Sequence, residues 1–209
     1  DYGIQHASAQ YDQILNCRFL SIHNPTDTGT AIQFNTFGNR ILIAGCRFSN
    51  NDRDIRVNTL GHAISIRDSS FENTGSAVTT KTHSIQLEGV QGAVIDGNYF
   101  EQVRTATTEG VVLIIGGGGI SITGNLFDGG GTTYSNYFVY CSGNPRGVRV
   151  TGNYMAEVIL GFVRAGGFAV TCHGNEYLDV AVQLTTYQSI MTLMGTPANI
   201  DLDVPPDYV

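Results

Sequence analysis

The stretch ISITGNLFDGG, Ile120 to Gly130, interrupts an alternating apolar pattern with Gly124-Asn125 and resumes it at once with Phe127. The same grammar returns as VIDGNYFEQ (Val94 to Gln102) and VRVTGNYMAE (Val148 to Glu157), and more loosely as ILIAGCRFSN, ISIRDSSFEN and QILNCRFLS. Aligned on the aromatic, the column reads Phe19, Phe48, Phe71, Phe100, Phe127, Met155 and Tyr177, with spacings of 29, 23, 29, 27, 28 and 22 residues. Self-similarity at a period of 20–50 residues is the signature of a stacked-repeat architecture.

Five residues before the anchors stand Ile14, Ile43, Ile66, Ile95, Ile122 and Val150, and two residues earlier Ile41, Ile64, Ala93, Ile120 and Val148. That period of two is the pattern of a strand with one buried face. Two residues before the anchors the column is small or polar throughout: Cys17, Cys46, Ser69, Asn98, Asn125, Asn153 and Asn175. A second apolar segment begins about seven residues after most anchors, at Ile55, Val78 and Phe162 and, with offsets, at Ile32, Val111, Phe138 and Val182, so each unit holds at least two short strands. A unit of about 26 residues cannot bury both by itself, whereas stacking lets each coil cover the next. No segment carries a helical period.

These φ-x-φ-x-G-N-x-F units, from Ile14 to Leu184, resemble the parallel right-handed β-helix superfamily, which includes pectate lyases, polygalacturonases and the shafts of bacteriophage tailspikes. The resemblance implies an all-β, single-stranded right-handed parallel solenoid. The anchors count about seven coils, over residues 1–186, with a non-repeat tail at 187–209 whose Pro197, Pro205 and Pro206 cannot enter a ladder. DYGIQHASAQY, at the start, reads as a strand in mid-stack, and the first methionine is Met155. The expectation is that the native polypeptide continues upstream or that a partner covers this end, because an open strand edge invites pairing.

A formal net charge of -7 argues against nucleic acid, whose phosphates need a basic surface. Membrane insertion is not expected either, since no apolar run approaches the roughly 18 residues that span a bilayer. Cys17 and Cys46 occupy the small-polar column, so each reads as a ladder residue, although coils about 4.8 Å apart also lie within disulfide range.

Chemistry concentrates one residue after the anchor, where Glu72, Glu101 and Asp128 fall on three successive coils. With the anchor inward these acids point outward in steps of about 4.8 Å. Neighbours at that spacing match the carboxyl pair of a retaining glycosidase, and pairs two coils apart approach the inverting geometry. Solvated acids without a role are the plain alternative, and a calcium site is a third option, since clustered carboxylates suit that ion. No residue pattern points to another metal or cofactor. Tyr99 and Tyr154, one residue before their anchors, together with Arg47, form an outward aromatic and charged stripe that suits a polysaccharide or a neighbouring rod. Tyr134, Tyr137 and Tyr140 cluster elsewhere.

Within TLGHAISIRD, Gly61, His62, Ile64, Ser65 and Ile66 resemble a stretch of the polygalacturonases. Ala63 replaces that family's second glycine, and its carboxylate motifs are missing, so His62 has no acid to assist. His83, with Lys81 and Glu88, offers a lyase's base beside a carboxylate as one reading and part of a solvated insertion as the plainer one. IIGGGG, Ile114 to Gly119, lacks the Gly-Lys-Ser/Thr of a phosphate loop and reads as a link between coils. Three functions compete: a tailspike or tail fibre on the virion tail that binds, and in the enzymatic version degrades, host surface polysaccharide, as a homotrimer in the family it resembles; a secreted, extracellular polysaccharide lyase or glycoside hydrolase; and a purely structural shaft.

Overall fold

The computed structural model describes residues 2–23, 29–58, 61–72, 83–101, 110–128, 137–156, 161–165, 168–178 and 201–202. Those residues are all-β and contain no helix. The chain winds in coils of three strands. β1 (Tyr2–Gln10), β2 (Gln13–Leu15) and β3 (Arg18–Leu20) make the first coil, and β4 (Thr30–Asn39), β5 (Leu42–Ala44) and β6 (Arg47–Ser49) the second. β7 (Arg53–Val57), β8 (Gly61–Arg67) and β9 (Ser70–Glu72) follow, then β10 (Ile85–Glu88), β11 (Gln91–Asp96) and β12 (Tyr99–Glu101). The last coils are β13 (Gly110–Ile115), β14 (Gly118–Thr123) and β15 (Leu126–Asp128); β16 (Tyr137–Ser142), β17 (Arg146–Thr151) and β18 (Tyr154–Ala156); and β19 (Gly161–Ala165), β20 (Phe168–His173) and β21 (Glu176–Leu178).

Each strand pairs in parallel with its equivalent one coil away, giving a three-sided β-solenoid. It makes about five complete turns, somewhat fewer than the seven coils counted from the anchors, with a further rung at each end of the seven-stranded third side, which runs from β3 to β21. The first two sides form one continuous hydrogen-bonded sheet because the long β4 bends around the corner: its Ile32 pairs with Ile55 of the first side and its Gly38 with Gly61 of the second. Two residues of the expected tail join the stack as β22 (Asp201–Leu202), paired with Thr171 and Cys172.

Three strands per coil, where the apolar pattern predicts at least two, have a local cause. The repeated Gly-Asn is a corner, so the run from Ile120 to Asp128 crosses from the second side to the third. The residue at the bend is left-handed in every coil: Asn16, Gly45, Asp68, Gly97, Gly124, Gly152 and Gly174 have φ between 50° and 63°. Glycine suits that region because a Cβ there costs about 1–2 kcal/mol, and Asn and Asp are the side chains that tolerate it best.

Behind the corner the small-polar column faces inward, and its amides form a ladder. Asn98 Nδ2 donates to Asn125 Oδ1 at 3.0 Å, Asn125 Nδ2 to Asn153 Oδ1 at 2.9 Å, and Asn153 Nδ2 to Asn175 Oδ1 at 3.0 Å. Each Oδ1 also accepts the backbone N–H of the preceding coil's member, and each Nδ2 donates to a carbonyl of that coil, as from Asn125 to Ile95. The ladder ends at Ser69, whose Oγ accepts the Cys46 N–H at 3.0 Å.

The anchors are buried as the period-two pattern requires, from Phe19 to Met155, together with the isoleucines five and seven residues before them. Successive rings stack at 5.1, 4.8 and 4.7 Å along Phe19, Phe48, Phe71 and Phe100. Phe138, from the first side, then packs edge-on against Phe100 and tilted against Phe127. Val78 and Val182 of the second apolar series, and the Tyr177 side chain, lie outside the described residues.

Asn125→Ala is expected to lower unfolding free energy by about 2–4 kcal/mol in urea titrations, because it strands Asn98 and Asn153 in the core. Asn175→Ala, at the half-buried end of the ladder, should cost less. Ala63, with φ of 54°, shares a second left-handed column with Gly92, Gly119 and Gly147. Ala63→Gly should therefore raise stability by about 0.5–1 kcal/mol in the same assay, the relief of the Cβ clash exceeding the entropy cost of glycine.

Candidate functional site on the third side

Strands of three residues, whose middle residue is buried from Phe19 to Met155, leave two flanking positions per coil on the third side. Register places Arg18, Arg47, Ser70, Tyr99, Leu126, Tyr154 and Glu176 in one outward column. Ser49, Glu72, Glu101, Asp128 and Ala156 stand in the other, with Ser49 and Ala156 buried and the three acids half-buried. All six residues singled out by sequence, Glu72, Glu101, Asp128, Tyr99, Tyr154 and Arg47, thus share one outer face within five coils. Sequence neighbours 23–29 residues apart become spatial neighbours about 4.8 Å apart, the distance between parallel strands.

Two side chains organise the acids. Arg47 Nη2 meets Glu72 Oε2 at 2.6 Å across the two columns, with Glu72 only 12% exposed and Arg47 48% exposed. Tyr99 bonds to Glu101, and its phenol is pushed above its ordinary value by burial first, then by the charges of Glu101 and Asp128, by that hydrogen bond, and by the charge of Glu72. A carboxylate beside a phenol disfavours the phenolate, so Tyr99 stays a donor. Glu101 is flanked in register by Glu72 on one side and Asp128 on the other. With Glu72 engaged by Arg47, Glu101 and Asp128 are the adjacent carboxylates whose strand spacing of about 4.8 Å approaches the retaining geometry. Among the described residues no group of three or more His, Cys, Asp or Glu side chains is placed to hold a metal ion.

Leu126 is the member of this face that sequence reading overlooked. It is 41% exposed between Tyr99 and Tyr154, so the stripe is tyrosine, leucine, tyrosine over three coils. The signal was its position one residue before an anchor, which is outward whatever the residue.

Other candidates lie elsewhere. His62 is exposed on the second side, with Asn39 and Gln91 as register neighbours, and its ring tilts against Phe37 at 6.3 Å. His83 corrects the expectation of a solvated insertion: it is buried, and its Nε2 lies 2.8 Å from Gln86 Oε1, while Glu88 is half-buried and Lys81 falls outside the described residues. Tyr137 and Tyr140 stack on the first side at 6.4 Å; Tyr134 is outside the described residues. Gly116 to Gly119 correct the expected link between coils: they form the corner between β13 and β14 within one coil, and the start of β14. A further arrangement had no sequence signal. His23 Nδ1 donates to Asp52 Oδ1 at 2.7 Å, and Asp52 Oδ2 accepts the Gly29 N–H at 2.9 Å, so a buried carboxylate staples the first two coils at the edge of the third side.

The fold and face define the chain as a parallel β-solenoid with an aromatic, acid-lined outer surface. Compared with protein-family models, with curated proteins and with solved structures, it matches none.

Ultraviolet titration should show the Tyr99 phenol, identified by its loss in Tyr99→Phe, ionising above the ordinary value of 10.0. Glu101→Gln should move that midpoint down. A phenol raised on folding contributes stability below its unfolded value and loses it as pH rises through the folded value, so the wild type should gain more than Tyr99→Phe from working below pH 10.0.

Proposed function

We propose that this solenoid is the carbohydrate-gripping shaft of a bacteriophage tailspike or tail fibre, binding host surface polysaccharide along the outer face of its third side. The observation that carries the reading is the stripe of Tyr99, Leu126 and Tyr154 running beside Glu72, Glu101 and Asp128. Flat apolar faces flanked by hydrogen-bonding acceptors suit a pyranose, which has an apolar face and a rim of hydroxyls. The coil rise of about 4.8 Å is close to the length of one sugar unit, so a polymer lying along the axis meets an equivalent pair of positions at every step.

The virion assignment rests on the resemblance of the repeat to tailspike shafts, and with it goes a homotrimer. A second, enzymatic reading is favoured by one feature, the adjacency of Glu101 and Asp128. In it, one carboxyl protonates the leaving oxygen of a glycosidic bond while the other attacks or assists, which makes the chain a polysaccharide depolymerase.

Screening immobilised bacterial surface polysaccharides should find a ligand whose affinity falls about tenfold in each of Tyr99→Ala and Tyr154→Ala, the loss of about 1.4 kcal/mol of stacking. Unchanged binding in the double variant would sink the assignment of this face. Sedimentation showing a monomer at micromolar concentration counts against the tailspike assembly. Release of reducing ends that stops in Glu101→Gln supports cleavage, and turnover that survives the change rules this pair out.

A further inference from the structure

Cys17 and Cys46 replace the amide ladder at its open end. They hold equivalent places on the first two coils, since Arg18 pairs with Arg47 and the Cys17 carbonyl accepts the Arg47 N–H at 2.9 Å. Cys46 Sγ lies between the coils, 3.5 Å from the Ile14 carbonyl of the first and 3.5 Å from the Ala44 carbonyl of its own, and Cys17 Sγ lies in the first coil, 3.3 Å from the Leu15 carbonyl. Equivalent residues of neighbouring coils are about 4.8 Å apart at Cα, inside the range that a disulfide spans. Both thiols are free in the structure, Cys17 half-buried and Cys46 buried. Cys141 and Cys172 are both buried as well, and burial together with Cys172 pushes the Cys141 thiol up to about 12, which keeps it protonated and inert.

We propose that Cys17 and Cys46 form a thiol–disulfide site: in the presence of a small-molecule disulfide they close into a bridge that locks the first coil onto the second. Cys17, the accessible thiol, attacks as thiolate on one sulfur of glutathione disulfide, forming a mixed disulfide and expelling one glutathione thiolate. Cys46, as thiolate, then attacks the Cys17 sulfur and expels the second glutathione. The two protein thiols are oxidised, glutathione disulfide is reduced to two glutathiones, and the two thiol protons pass to solvent or to the leaving thiolates. Burial raises the Cys46 thiol above its ordinary range, against backbone hydrogen bonds at Cys17 and Ala44 that lower it and with the charge of Cys17 adding to the rise, so the closing step is slow near neutrality and quickens as pH rises. The bridge supplies in covalent form the tie between coils that Asn98 to Asn175 supply by hydrogen bonds farther along, and it joins residues 29 positions apart.

The test is intact-mass and peptide analysis of the full chain incubated with glutathione disulfide. The expected result is loss of the mass of two hydrogens, a peptide joining Cys17 to Cys46, and a Tm about 5–10 °C higher that dithiothreitol reverses. Cys17→Ser, a residue type this column already holds at Ser69, should abolish both the mass change and the shift while leaving the reduced Tm in place. A mixed disulfide on Cys17 that never closes, cross-linking confined to Cys141 and Cys172, or closure with no rise in Tm would each overturn the proposal.

Discussion

Everything in this solenoid depends on register between coils, and the inward amide ladder is the interaction that imposes it. Parallel strands of three residues carry few hydrogen bonds each, and the apolar core tolerates sliding because one isoleucine resembles another. Asn98, Asn125, Asn153 and Asn175 do not tolerate it. Each amide is buried or half-buried, and a displaced coil would leave its N–H and C=O groups without partners in a medium that penalises this by about 1–3 kcal/mol per group. The left-handed corner immediately before each asparagine is what turns the amide inward, so the Gly-Asn pair acts as one device.

Once register is imposed, the outer face follows with no further instruction. The residues on either side of a buried anchor must point out, and they must align with those above and below. Glu72, Glu101 and Asp128 therefore stand in a row, and Tyr99, Leu126 and Tyr154 in another, although stretches of differing length separate them in the sequence. The repeat varies from 22 to 29 residues while the register of the third-side columns is unbroken from β3 to β21. Charge then differentiates the face along its length: Arg47 draws Glu72 into a pair at one end, and Tyr99 engages Glu101 near the middle.

Much of this was legible from residues alone, and the misreadings have physical reasons. The anchors Phe19 to Met155, the isoleucine columns and the inward asparagines obey a period of two that holds locally, so a one-dimensional reading finds them. The corner is legible as well, since Gly124 before an inward Asn125 reads as a tight bend between two strands, whereas the count of three strands per coil is not, because a bend that spares the apolar alternation adds no separate apolar segment. His83 was misjudged because an insertion rich in Thr and Ser reads as solvated, whereas its imidazole is buried against Gln86.

The sequence contained the class of fold, the identity of the core columns and the composition of the outer face, since each is a consequence of short-range alternation and repetition. It did not contain the pairing of Arg47 with Glu72, the bond between Tyr99 and Glu101 or the staple of His23 on Asp52. Those depend on which side chains meet across coils and on how deeply each is sunk. Such contacts join residues more than twenty positions apart along the chain, or opposite columns of one face, and they come into being only when the coils stack.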